Sequence, residues 1–60
     1  MKKGDIVELI EDTTFYKKGH RAVVVGEYNK NDVEIRYEGE RYYGGDVDLM
    51  PKRMVRVVSH

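Results

Sequence analysis

The main apolar stretch of the chain is Arg21-Ala22-Val23-Val24-Val25-Gly26, rich in β-branched residues and bounded by glycine or polar residues on both sides. Side chains branched at Cβ favour extended backbone, so a central strand is expected here. Ala22 and Val24 would face one way, Val23 and Val25 the other. Apolar positions on both faces imply cover on both sides, or one face left for a partner.

The remaining segments read as shorter strands around this one. In Gly4-Asp5-Ile6-Val7-Glu8-Leu9-Ile10, the period of two places Val7 and Leu9 on one face with Glu8 opposite, flanked by half-covered Ile6 and Ile10. Alternation lapses from Glu11 to His20, which predicts a long ordered loop holding Phe15 and Tyr16 against the core, with Gly19 supplying a turn before the central strand. Glu27 to Asp32 reads as a polar turn. Val33-Glu34-Ile35-Arg36-Tyr37 alternates cleanly with Val33, Ile35 and Tyr37 inward. Glu38-Gly39 predicts a tight hairpin into a strand over Glu40-Arg41-Tyr42-Tyr43, ended by Gly44-Gly45. Val47 and Leu49 then alternate with Asp46 and Asp48. Met50-Pro51-Lys52-Arg53-Met54 reads as a single helical turn, and Val55-Arg56-Val57-Val58 as the last strand. The expected fold is all-β: a small five-stranded antiparallel barrel over residues 1–60 with one short 3-10 turn near Pro51. Curling such a sheet on itself removes most exposed strand edges.

Size and composition narrow the picture. Sixty residues make one domain near the lower limit for unaided folding, and without cysteine there is neither a disulfide staple nor a thiolate metal site. No apolar run approaches the ~18 residues a membrane-spanning helix needs, so a soluble, cytoplasmic protein without membrane partners is expected. Eleven basic residues balance eleven acidic ones. A nonspecific nucleic-acid binder normally carries a basic excess, because phosphate neutralisation supplies most of its affinity.

The order of segments resembles a Src-homology-3-like barrel. Phe15-Tyr16-Lys17-Lys18-Gly19 before an apolar strand is similar to the hydrophobic-x-Lys-Lys-Gly-Asp segment that closes the long first loop of such domains, with His20 where Asp is usual. Met50-Pro51-Lys52-Arg53-Met54-Val55 resembles their apolar-Pro-Ser-Asn-Tyr-Val turn into the last strand, with Met54 at the tyrosine position. The chain has no Trp, and Ile-Val-Glu-Leu-Ile stands where the aromatic Ala-Leu-Tyr-Asp-Tyr strand lies in the proline-binding members. That departure argues against proline-rich ligands. Gly19-His20-Arg21-Ala22-Val23-Val24 also resembles the Gly-x-x-Gly-x-Val of KOW modules, with Ala22 at the second glycine. That likeness implies RNA-, ribosome- or polymerase-associated roles. Short orphan barrels of this kind also resemble proteins encoded by phages or mobile elements.

Chemistry-bearing residues are few. Ser59 is the one serine, His20 and His60 are the histidines, and cysteine is absent, so no nucleophile–base arrangement is expected. Asp46 and Asp48 share a strand face without the oxygen-rich loop that calcium requires. Neither catalysis, cofactor nor metal is expected.

Five tyrosines in sixty residues exceed what a small core needs. They serve either to cap that core or to contact a partner, since tyrosine offers apolar area and a hydrogen bond at low entropic cost. The leading expectation is a noncatalytic protein-binding module or small adaptor using Phe15, Tyr16, Tyr28, Tyr42 and Met54, with Arg53 as charged anchor, toward a protein partner or a second copy. The alternative is a nucleic-acid surface of Lys17, Lys18, Arg21, Lys52 and Arg53, joined by Arg56 and with Tyr16 as a stacking ring. Against it stands a solvated face whose cations pair with Asp46, Asp48 and Glu11. A structural subunit of a larger assembly is the third reading.

Overall fold

The computed structural model describes residues 1–14, 16–39 and 47–59. Five antiparallel strands form one sheet: β1 (Ile6–Leu9), β2 (Arg21–Glu27), β3 (Asp32–Tyr37), β4 (Asp48–Pro51) and β5 (Val55–Ser59), in the order β4-β3-β2-β1-β5. A 3-10 turn, Lys52–Met54, joins β4 to β5. No helix among the described residues is long and apolar enough to cross a membrane.

The valine-rich segment is central, as its pattern predicts. β2 lies between β1 and β3, with Val7 opposite Ala22 and Ile35 opposite Val24. Its two faces are unequal: Ala22 and Val24 are buried, whereas Val23 and Val25 are half-buried. Val25 is also the extra residue of a bulge, where the register with β3 shifts between Val24 and Gly26. A bulge sharpens local twist and bends its strand. A second register shift bends β5 against β1 between Ile6 and Val7.

Those bends let one sheet enclose its own core. Val7, Leu9, Ala22, Val24, Val33, Ile35, Tyr37, Met50 and Val55 form a single buried cluster with contributions from every strand, and Met1, Tyr16, Met54 and Val57 pack against it. A sheet face must be covered by something. Here the other strands, the 3-10 turn and the β1–β2 loop supply the cover.

The strand expected over 40–43 and the glycines after it lie outside the described residues. Among the described residues β3 pairs with β2 on one side and β4 on the other, with Met50 opposite Val33 and Leu49 opposite Glu34. Val33 faces the core, so its neighbour Met50 does too, and Leu49 falls with Glu34 on the outer side. Val47 and Leu49 are therefore exposed. Met50 and Pro51, assigned to the helical turn by sequence, belong to β4. The last strand runs one residue further than expected, to Ser59.

Candidate functional site

The β1–β2 loop is an ordered arm. Its root is closed by two backbone bonds, from the Leu9 N–H to the His20 carbonyl (3.0 Å) and from the Gly19 N–H to the Leu9 carbonyl (2.9 Å). Gly19 makes this return possible at φ +93°, a conformation in which other residues are strained. Further out, the Lys18 N–H donates to Asp12 Oδ1 (2.7 Å). At the tip, the Tyr16 N–H donates to Thr13 Oγ1 (3.0 Å) and the Thr13 N–H to the Tyr16 carbonyl (2.7 Å). Threonine at the start of a turn commonly closes it in this way.

The arm docks through its aromatic ring. Tyr16 stacks on Tyr37 with centroids 3.7 Å apart and planes 16° from parallel, and His20 leans on both rings at 4.8 and 5.7 Å. His20 Nε2 lies 3.1 Å from the Glu38 carbonyl oxygen, which fixes a proton on that nitrogen. The Tyr37 hydroxyl donates to Asp48 Oδ2 at 3.1 Å. Tyr16 is thus a half-buried clasp held against the core, as the reading of the loop expects, and less of its ring is left to a partner. Phe15, Tyr42 and Tyr43 lie outside the described residues.

Tyr28 sits elsewhere. Tyr37 lies opposite Ala22, near the start of β2, while Tyr28 follows Glu27 at its far end. Along a strand rising about 3.3 Å per residue, these ends are ~20 Å apart. Tyr28 is 61% exposed. It opens a turn in which Asn29 Oδ1 accepts the N–H groups of both Asn31 and Asp32 at 2.8 Å.

The 3-10 turn connects the two regions. At one end the Lys52 N–H donates to the Asn31 carbonyl (2.8 Å), tying it to the β2–β3 turn. At the other end the Ile10 N–H donates to the Met54 carbonyl (2.9 Å), tying it to the root of the arm. Arg53 between them is exposed, with no ion pair among the described residues, while Met54 is half-buried on the core. Ile10, 36% exposed, completes the strip. Its place next to the point where alternation lapses gave no sign of this role. Lys30, exposed between two asparagines of the β2–β3 turn, also joins the site without a sign in the hydrophobic pattern.

The expected basic residues divide into two sets. Lys17, Lys18 and Arg21 belong to the arm and the start of β2, and Lys52 and Arg53 to the 3-10 turn. Two of the cations have carboxylate partners other than those expected from sequence. Lys52 Nζ pairs with Glu27 Oε2 at 2.6 Å, and Arg56 with Glu8 Oε1 at 2.7 Å. The Lys52 ammonium holds the Glu27 carboxyl below its ordinary pKa, by hydrogen bond first and charge second. Glu8 also lies opposite Arg21, so the outer face of β2-β1-β5 carries the row Arg21, Glu8, Arg56. A row that alternates in sign offers no continuous track for phosphates.

No cluster of three or more metal-ligating side chains occurs among the described residues. An open hollow lined by Met1, Lys2, Lys3, Gly4, Asp5 and Val57 contains one carboxylate, and Asp5 Oδ2 accepts the Lys2 N–H at 2.9 Å. Comparison of the chain with protein-family models, curated proteins and solved structures finds no match.

Proposed function

We propose that the chain is a noncatalytic, cytosolic protein-binding module whose contact surface runs from Tyr28 over the 3-10 turn to Ile10, with Arg53 as its charged anchor. One observation carries this reading. The Lys52–Met54 turn is hydrogen-bonded at both ends, to Asn31 and to Ile10, and so sets exposed Tyr28 and Ile10 and an arginine with no ion pair among the described residues on one frame. Aromatic and arginine side chains are the residues most often responsible for binding energy at protein interfaces. A frame already ordered loses little entropy on binding. The position of the 3-10 turn directly before the last strand, where the likeness to Src-homology-3-like barrels puts it, agrees with this reading. The cysteine-free sequence suits a reducing compartment.

Nucleic acid is the weaker reading, because its cations fall in two sets and Arg21 and Arg56 flank a glutamate. The test is capture from host lysate, with and without nuclease, by the wild-type chain and by a Tyr28→Ala/Arg53→Glu variant verified as folded. Nuclease-resistant capture that the variant loses is expected. Equal capture by the folded variant, or capture abolished by nuclease, overturns the proposal.

A further inference from the structure

The charges around Tyr28 narrow the kind of partner. The Lys52–Asn31 backbone bond brings the 3-10 turn against the β2–β3 turn, so Lys30, Lys52 and Arg53 belong to the same junction as exposed Tyr28. Two carboxylates belong to the same junction. Glu27 is engaged by Lys52, and Asp32 is half-buried at the start of β3. Lys30 and Arg53 are exposed and have no ion pair among the described residues. Of the other set, Arg21 lies opposite Glu8 across the strands, and Lys17 and Lys18 are exposed on the arm, whose ring Tyr16 is half-buried where Tyr28 is exposed.

We infer that the surface around Tyr28 takes an acidic peptide segment bearing an aromatic or aliphatic side chain, its carboxylates meeting Lys30 and Arg53 and its apolar group lying on Tyr28. This inference rests on the protein-binding reading above and gives the partner its chemical class. Arginine engages a carboxylate through two parallel hydrogen bonds, and complementary charge both speeds encounter and excludes basic segments. The Asn29 side chain, by accepting two backbone N–H groups, keeps the turn in one shape before any ligand arrives.

The experiment uses the full chain, isotope-labelled, titrated with a random copolymer of glutamate and tyrosine and separately with a single-stranded oligonucleotide. The expected result is that the copolymer shifts amide resonances of residues 28–31 and 52–54. Binding should weaken with added salt and fall about tenfold in a Lys30→Glu/Arg53→Glu variant. Copolymer binding that maps to Lys17, Lys18 and Arg21, or that the variant retains, overturns the inference. So does oligonucleotide binding at residues 28–31 and 52–54 without copolymer binding. If the copolymer fails while the Tyr28→Ala/Arg53→Glu variant still loses nuclease-resistant capture, the acidic class is wrong and the protein-binding surface stands.

Discussion

Tyr16 and Tyr37 lie face to face, centroids 3.7 Å apart, although twenty residues of chain separate them and only Tyr37 belongs to a strand. The contact fastens the β1–β2 arm to the sheet and closes the core beside the end of β3. An aromatic pair adds about 1 kcal/mol beyond the area it buries.

Replacing Tyr16 by alanine should therefore lower stability by about 2–3 kcal/mol, a large share of what a cysteine-free domain of this size has. Urea unfolding measures it. Tyr16→Phe keeps the stacked ring and should lose much less. A wild-type urea midpoint for Tyr16→Ala would mean that the arm is not clasped by this ring.

Gly19 fixes how the arm returns. Its φ of +93° carries a backbone penalty for any other residue, while a Cβ built there meets nothing within 4 Å. The cost of Gly19→Ala is thus conformational, about 1–2 kcal/mol, with no steric share. Gly19→Asn should cost less, because asparagine tolerates left-handed backbone. Equal melting temperatures for Gly19→Ala and wild type would show that the arm returns by another route.

Much of this fold is written in alternation. β1, β2 and β3 each place their buried residues at every second position, so Val7, Leu9, Val33, Ile35 and Tyr37 could be assigned from pattern alone, whereas in β2, apolar on both faces, only the structure selects Ala22 and Val24. β4 could not, because its sequence Asp48-Leu49-Met50-Pro51 offers two overlapping alternations and only pairing with Val33 selects Met50. The site was half legible. Exposed Tyr28 and Arg53 follow from residue type, whereas Ile10 joins them through its backbone bond to Met54, and Lys30 through the bond of its neighbour Asn31 with Lys52, neither of which a local pattern encodes. That Tyr16 packs on the core could be read from its loop, but its stacking partner Tyr37 is distant in sequence and could not be named.

The choice between Leu49 and Met50 is directly measurable. Met50 is 6% exposed within the core cluster, and Leu49 is 47% exposed on the outer side. Met50→Ala should cost about 2–3 kcal/mol through lost burial and the cavity left behind, and Leu49→Ser less than about 0.5 kcal/mol. Denaturant midpoints for the two variants decide the register. The reverse order would place β4 one residue out of step with β3, since a shift of one residue exchanges the two faces.

The Glu27–Lys52 pair gives the β2–β3 turn a dependence on pH whose sign follows from the shift. Lys52 lowers the carboxyl pKa in the folded chain, so the unfolded chain binds a proton at higher pH than the folded one does. The contribution of the pair is complete above the ordinary glutamate pKa and is lost as pH falls through the lowered folded value. Both groups reach solvent, with side chains 26% exposed for Lys52 and 53% for Glu27, so the effect on global stability is small and screened by salt. The local signature should still be clear. The Glu27 side-chain carboxyl carbon, followed by NMR, should titrate below the range of an isolated glutamate in the wild type and return to it in Lys52→Met. Because Lys52 also anchors the 3-10 turn through its backbone N–H, which the substitution keeps, the amide shifts of Asn31 and Arg53 should change little in that variant. A Glu27 midpoint indifferent to Lys52→Met would show that the two side chains do not meet in solution, and that the backbone bond alone holds the turn against Asn31.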